Sequence, residues 1–329
     1  MSSDSPVSEA ARPEEPKGML QKLGAALPIG LTALATVFAG MSTSALQQAM
    51  YWKSQAAQDQ SKATNQWSLA GFKRDRALIM QTTAAQLRAA AEYRMPTFAK
   101  PAVKSASDPE AEKKAKEAED YQIKALGWLT EEKGDKAGPP RVKLPEITDE
   151  QIKALRDGIE ARQPEAELLA LAAKVNKDAI NKAIDDTEKA VEQVDKDWDP
   201  IIKAASSLVQ KEAGMKADVS EEDRKKKAAN ATAAQATGFE LEQRRYRAES
   251  FMNQGIAFLY EIRVKVSTAE SDKHRRKSQQ FFYAMLAAQI GAVVSSLAIA
   301  RQKMSVLWFF ASAIGLVSLG IGLYVFLDT

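Results

Sequence analysis

Histidine and carboxylate side chains are the groups of this chain that could bind a metal or act in acid–base catalysis. His274 is the only histidine, and the chain has no cysteine. Zinc needs several such ligands, and a lone histidine in a basic run is more often solvated than catalytic. The acidic stretch AIDDTEKAVEQVDKDWD at 183–199 lacks the glycine and terminal glutamate of a calcium loop. We therefore predict no metal site and interpret that stretch as a solvated helix face.

Nucleophilic and phosphate-binding motifs are also missing from the sequence. It contains no glycine-rich GxxxxGK[ST] loop, no GxSxG and no HExxH. The formal net charge of +3 is too small to indicate a nucleic-acid partner. We predict no catalytic residue and no cofactor site, so the chain is not expected to be an enzyme.

The elements that would position any site are dominated by three stretches without Asp, Glu, Lys or Arg. These stretches lie at 23–52, 278–300 and 304–327, while nearly all the charge lies between them. A helix needs about 20 apolar residues to cross a bilayer core of about 30 Å. The sequence therefore predicts three transmembrane helices, of which the last two form a hairpin, so the lipid bilayer is the first predicted partner.

The remaining segments are assigned from their composition and breakers. We predict a disordered tail at 1–22, transmembrane helices at 23–46, 281–300 and 304–327, stalk helices at 47–95 and 220–280, and a helical cap with Pro/Gly-rich linkers at 96–219. Met95-Pro96 marks the first stop, while Asp149 and the Ser220/Asp223 pair mark helix starts. A further helix is expected from Pro164 to Trp198, with Pro200 opening a short one.

Small and polar residues within the spans predict close helix packing. Such residues let helix backbones approach each other in lipid. The predicted packing positions are Thr32, Thr36, Gly40, Ser44, Ala284, Ala288, Gln289, Ala292 and Ser296. They serve either packing within one chain or a homo-oligomer.

Basic residues flank the spans. The expected lipid head-group anchors are Lys273, Arg275, Arg276, Lys277, Arg301 and Lys303. Lys and Arg near the span ends are more numerous on the side of the middle region. The positive-inside rule then favours a multi-pass protein of the bacterial inner (cytoplasmic) membrane with a cytoplasmic middle region. A periplasmic middle region is the alternative.

Apolar residues alternating in steps of four and three predict that the middle helices pair. One such seam contains Ile180, Ile184, Thr187, Val191, Val194 and Trp198; the other contains Leu241, Arg245, Ala248, Met252, Gly255, Leu259, Ile262 and Val266. This spacing is typical of coiled coils. The predicted fold is an all-α membrane protein with three transmembrane helices, a long antiparallel coiled-coil-like stalk and a small helical cap.

Two stretches resemble an uncharacterised bacterial membrane-protein family, domain of unknown function 4337. They are STSALQQAMYWKSQAAQDQSKATNQWSLAGFKRD after the first span and KHRRKSQQFFYAMLAAQIGAVVSSLAIARQKMSVLWFF near the end. The resemblance implies one N-terminal span, a helical middle and a C-terminal hairpin. It implies no known activity.

These observations favour a non-enzymatic structural or scaffolding membrane protein. It would form a homo-oligomer and hold or organise a partner complex whose protein is unidentified. The alternatives are an accessory subunit of a larger membrane enzyme complex, and a membrane signal transducer or gate.

Overall fold

The computed structural model describes residues 19–92, 94–98, 109–130, 142–214, 220–300 and 306–327. Within these ranges the chain is all-helical and has no strand, as predicted. The helices are α1 (Met19–Ala90), α2 (Pro109–Thr130), α3 (Glu150–Glu160), α4 (Glu165–Ala172), α5 (Lys177–Ala213), α6 (Glu221–Ala300) and α7 (Val306–Leu327). Most of the predicted tail, most of both linkers and the hairpin tip lie outside the described residues.

Three helices are long and apolar enough to cross a membrane. They are α1 over Ala25–Ala90, α6 and α7. The second of these, α6, has 80 residues, far more than one crossing needs. It runs through the boundary predicted at 281 because no proline interrupts the chain after 220.

The chain forms two compact units, and α1 and α6 contribute residues to both. The terminal unit consists of Met1–Ser54 and Glu270–Thr329, and the central unit is Gln55–Ala269. Each unit has its own packing.

The helix starts in the central unit follow from side-chain caps. The Asp149 carboxylate accepts hydrogen bonds from the Gln151 and Ile152 amides, both at 2.9 Å. Ser220 Oγ accepts from the Asp223 amide at 3.3 Å and donates to its carboxylate at 2.7 Å. These side chains satisfy amides that have no partner within the helix, so both predicted starts are confirmed.

The region 164–213 differs from the prediction in two ways. The helix expected from Pro164 to Trp198 is interrupted after Ala172, and Asn176 caps the new helix α5 through its Oδ1, 2.8 Å from the Asp178 amide. Pro200 does not open a separate helix but lies inside α5. Burial of Trp198, Ile201 and Ile202 along the same face accounts for the continuation of α5 past the proline.

The end of α1 precedes the expected stop at Met95-Pro96. Glu92 has φ 54°, in the left-handed region, and its amide donates to the Ala89 carbonyl at 3.1 Å. A left-handed residue after the last turn is a common helix end. The chain therefore leaves the helix before the proline is reached.

The core of the central unit lies between α6 and the helices α3, α4 and α5. Leu259, Ile262 and Val266 of the predicted α6 seam are buried there with residues of the other three helices, including Ile152, Leu155, Leu168, Ile180 and Ile184. These three seam residues therefore pack on the 150–184 helices, in a cluster that also contains Ala63 of α1.

A second cluster joins α2, α5 and α6. Ala125 and Leu129 of α2 are buried with Ile201 and Ile202 of α5 and with Leu241 of α6. The Trp128 and Trp198 rings meet edge to face at 6.1 Å. The contacts of α5 with α6 thus continue along the helices, so the helices predicted as a cap lie beside α6.

The terminal unit is a bundle of α1, α6 and α7. Leu31 and Phe38, seven residues apart on α1, pack on glycines of α7: a Cβ at Gly315 would lie 2.9 Å from Leu31, and one at Gly322 would overlap the Phe38 ring. Ser318 Oγ of α7 donates to the Ala284 carbonyl of α6 at 2.7 Å. Small residues therefore allow close approach where the three helices meet.

Candidate functional site

The candidate site is the interface of α1 with α6 and α5 in the central unit. On α1 the contact face is a stripe of alanines at every seventh position, namely Ala56, Ala63, Ala70, Ala77 and Ala84. The α6 residues opposite this stripe are also small, such as Ser250 and Ala257. Ser250 Oγ donates to the Ala70 backbone carbonyl at 2.8 Å. A bond between a short side chain and the opposite backbone requires that the two helices lie very close.

Asp59 and Arg263 form the first polar contact across this interface. Asp59 is 2% exposed. Arg263 donates from Nε to Asp59 Oδ2 at 2.9 Å and from Nη2 to Oδ1, while its Nη1 donates to Asn181 Oδ1 of α5 at 3.2 Å. One guanidinium therefore connects all three helices.

Tyr260 extends this contact towards α5. Its ring lies 4.9 Å from the Arg263 guanidinium carbon, and its hydroxyl donates to Glu188 Oε1 at 2.9 Å. Burial, followed by this hydrogen bond to a carboxylate, raises the pKa of Tyr260 to about 12. The hydroxyl therefore stays protonated at neutral pH and serves as a hydrogen-bond donor.

Glu249 is the centre of the second polar cluster. It is 6% exposed and lies between Lys73 of α1, which donates to its Oε2, and Arg245, whose Nε donates to its Oε1 at 2.7 Å. Arg245 Nη2 also lies 3.7 Å from Asp199 Oδ1 of α5. Partial burial raises the pKa of Asp195, and the nearby Glu249 carboxylate raises it further.

Arg88 forms the third contact, close to the end of α1. Its Nε and Nη2 each donate to one oxygen of the Glu240 carboxylate at 3.0 Å, and Nη2 also donates to Thr237 Oγ1 at 2.8 Å. Such paired hydrogen bonds fix direction as well as distance. The three polar contacts together set the rotation and register of α1 on α6.

Neither the alanine stripe nor the ion pairs were predicted from the sequence. The available signal was the repetition of alanine at every seventh position from 49 to 91. Polar residues also recur on one face of α1 at steps of seven, namely Asp59, Gln66 and Lys73. Gln66 Oε1 is buried between the first two contacts and has no hydrogen-bond partner among the described residues.

The predicted span-packing residues fall on two kinds of surface in the terminal unit. Thr32, Thr36, Gly40 and Ser44 are exposed, and the inward face of α1 carries Leu31, Ala35, Phe38 and Ala45 instead. The two threonine hydroxyls donate to carbonyls of their own helix, those of Pro28 and Thr32. Thr32 and Thr36 line a groove together with Gln289 and Ala292 of α6, and a contact of the four residues with a second copy stays a prediction.

On α6 the predicted stripe is inward only at its start. Ala284 and Ala288 are buried, Ala292 is half-buried, and Gln289 and Ser296 are exposed. The buried face continues through Gly291, Ser295 and Ala298. Steps of four turn away from a neighbouring helix, whereas alternating steps of three and four stay on it.

The predicted head-group anchors lie at the start of the terminal part of α6. Lys273, Arg275 and Arg276 are exposed and Lys277 is half-buried. Arg301 and Lys303 lie outside the described residues. His274 Nε2 lies 3.9 Å from Glu270 Oε2, and the described residues contain no group of three or more histidine, aspartate or glutamate side chains that could hold a metal.

No family model, curated protein or solved structure matches this chain. The resemblance of its two ends to domain of unknown function 4337 is therefore wrong. The second stretch behind it is a basic lead-in followed by an aromatic-rich hairpin, which are features that helical membrane proteins share for physical reasons.

Proposed function

We propose that this chain is a structural, non-enzymatic membrane protein that associates with itself and holds a partner protein complex. Its three apolar helices would cross the bacterial inner membrane, with the central unit in the cytoplasm. That unit would act as a stalk, formed by the antiparallel pair of α1 and α6 and braced along its side by α2 to α5.

The observation that carries the proposal is a group of large apolar side chains that are exposed on α1. Phe72, Leu78 and Ile79 are 58–62% exposed, and Leu69 is 46% exposed. Exposed apolar clusters mark contact surfaces more often than isolated apolar residues do. Phe72 and Ile79 are also seven residues apart, the spacing that a further helix would need to pack along α1.

The interface ion pairs support a structural role for the same region. The carboxylates of Asp59, Glu249 and Glu240 each form an ion pair with a basic residue of the other helix, so these charges stabilise the contact of α1 with α6. A stalk with a fixed register presents its outer face in one orientation. That property suits a protein that holds others in place.

The exposed stripe of Thr32, Thr36, Gly40 and Ser44 is proposed as the second contact between copies, within the bilayer. Small residues allow helices of different chains to approach as closely as helices of one chain do. Self-association would thus use both units.

Purification of the full chain in mild detergent, followed by light scattering, tests the proposal. We expect the wild-type protein to be a homo-oligomer and Phe72→Glu/Ile79→Glu to shift it towards monomer, because two charges would enter the apolar contact. The control Gln60→Glu/Ala85→Glu adds the same charge at exposed positions of the same helix that face away from Phe72 and Ile79, and it should leave the mass unchanged.

A monomeric wild-type protein, or equal masses for both double variants, would overturn self-association through α1. Catalytic chains that co-purify at fixed stoichiometry would instead support the accessory subunit. Ion flux in liposomes containing the pure protein would support the gate.

A further inference from the structure

One uncharged stretch of α1 lies at the same level as a charged stretch of α6. In the terminal unit, Ser42 Oγ donates to the Ser278 carbonyl at 3.0 Å, and Ser271 Oγ donates to the Ala49 carbonyl at 2.8 Å. These two bonds fix an antiparallel register. Residues 43–50 of α1 therefore lie beside residues 270–277 of α6.

The two helices differ sharply in charge at this level. Residues 43–51 of α1 contain no charged side chain, whereas 270–277 of α6 carries four Lys and Arg residues against Glu270 and Asp272. Lys273, Arg275 and Arg276 are exposed, and none forms an ion pair with another residue that the structure describes. This level of the bundle is therefore locally cationic.

The uncharged side presents large apolar groups to the surroundings. Leu46, Met50 and Tyr51 are 47–57% exposed. Five helical residues, the separation of Leu46 and Tyr51, span about 7 Å at about 1.5 Å per residue. The head-group layer on each side of a bilayer core is roughly 5–8 Å thick. The exposed apolar groups thus extend over a length that matches one head-group layer.

We infer that this band, residues 43–51 of α1 with 270–277 of α6, binds an anionic phospholipid. Lys273, Arg275 and Arg276 would pair with the phosphate and the charged head group. Leu46, Met50 and Tyr51 would contact the glycerol and upper acyl chain. The inference rests on the proposed position of this unit in a membrane.

A second copy of the chain fits this band less well than a lipid does. A symmetric contact would bring two cationic bands together, and like charges oppose such a contact. An anionic lipid supplies the opposite charge and an apolar chain in one molecule.

Native mass spectrometry of the full chain, with equal amounts of phosphatidylglycerol and phosphatidylcholine, tests the inference. We expect the wild-type protein to retain phosphatidylglycerol preferentially. Arg275→Gln/Arg276→Gln should weaken that retention about 25-fold, because each basic residue near an anionic lipid is worth about fivefold in affinity. The control Lys225→Gln/Lys227→Gln makes the same charge change at exposed α6 positions outside the band and should retain the lipid as wild type does. Helical circular dichroism confirms that both variants are folded.

Equal phosphatidylglycerol retention in wild type and Arg275→Gln/Arg276→Gln would overturn the inference, as would an equal loss in both double variants. Displacement of the lipid by millimolar inorganic phosphate would show a simple anion site instead. The same spectra give the number of protomers, so a monomer that still retains phosphatidylglycerol would contradict self-association while supporting the lipid site.

Discussion

Asp59 and Arg263 show what a buried charge does at a close helix contact. Removing Asp59 from water costs solvation energy, and the guanidinium offsets that cost with two hydrogen bonds. The net gain in stability from such a pair is small, but the loss when one partner is missing is large. The pair therefore acts against every rotation or shift of α1 that would separate its members.

Arg263→Met should lower the free energy of unfolding by about 3–5 kcal/mol, because it leaves the Asp59 carboxylate buried without a cation. Asp59→Leu/Arg263→Met should lose clearly less, since no lone charge remains. Thermal unfolding of the full chain in detergent, followed by circular dichroism, measures both. Lys116→Met breaks an exposed pair with Glu112 and should change little. Equal losses in the single and double variants would contradict the coupling of Asp59 to Arg263.

Asp195 should make the folded protein more stable as the pH falls, whereas a salt-bridged aspartate makes it less stable. Its pKa is raised from 3.8 in the folded protein, mainly by partial burial, so folding favours the protonated form. The folded state is therefore destabilised above the raised pKa, and this loss disappears as the pH falls through it. Asp195→Asn should unfold at a higher temperature than wild type at neutral pH.

The advantage of Asp195→Asn should shrink as the pH is lowered from neutral towards 4, and unfolding curves across that range measure it. Asp186→Asn removes an exposed carboxylate from the same helix and serves as the control. An advantage that is constant with pH would show that Asp195 stays ionised throughout.

At the scale of elements, α1 and α6 pair through small side chains. Alanines seven residues apart give α1 a smooth face, and hydroxyls of α6 reach its backbone carbonyls. The two helices come into extensive contact because their backbones approach closely, and not because large side chains interlock. Any larger residue on this face of α1 must push the helices apart.

Ala84→Leu should therefore lower the free energy of unfolding by about 1–3 kcal/mol, the usual cost of overpacking a tight contact. The adjacent residue provides the control, because Ala85 is exposed and Ala84 is buried on the same turn. Ala85→Leu should change stability by less than about 0.5 kcal/mol. Chemical unfolding of the two variants under identical conditions compares them, and similar losses would contradict the close contact at Ala84.

Capping residues and helix breakers made several helices predictable from the sequence. Which helix packs against each helix face was not predictable. Asp149 and Ser220 mark real helix starts. Large apolar residues define the predicted seam of α6, and they lie on the face that packs on α3 to α5. Alanine is common and only mildly apolar, so a stripe of alanines has little contrast with its surroundings.

Two residues of the α6 seam illustrate the same limit. Arg245 and Gly255 are poor occupants of a coiled-coil seam, yet each has a specific contact: Arg245 binds Glu249, and Gly255 faces Leu144. Leu144 is distant in the sequence and follows a linker. Glu249 is only four residues from Arg245, but Lys73, which also binds Glu249, lies on α1. Local spacing identified the face correctly but could not identify what lies opposite it.

At the scale of the whole molecule, three helices are long and apolar enough to cross a membrane, and three crossings would fix how the chain is arranged about the bilayer. An odd number of crossings places residues before the first span opposite those after the third. The central unit, between the first and second crossings, then lies opposite the tip that joins α6 to α7. Since the chain has no cysteine, each position can be tested with a single introduced thiol.

We expect Lys116→Cys, on the exposed face of α2, and Lys303→Cys to react with a membrane-impermeant maleimide from opposite sides. With the proposed cytoplasmic central unit, the Lys303→Cys variant is labelled in intact spheroplasts and the Lys116→Cys variant only after permeabilisation. Lys174→Cys, exposed elsewhere in the central unit, should behave like Lys116→Cys. The reversed pattern keeps three crossings but moves the central unit to the periplasm. Labelling of both positions from one side contradicts three crossings, because a helix that does not cross leaves its two flanks in the same compartment.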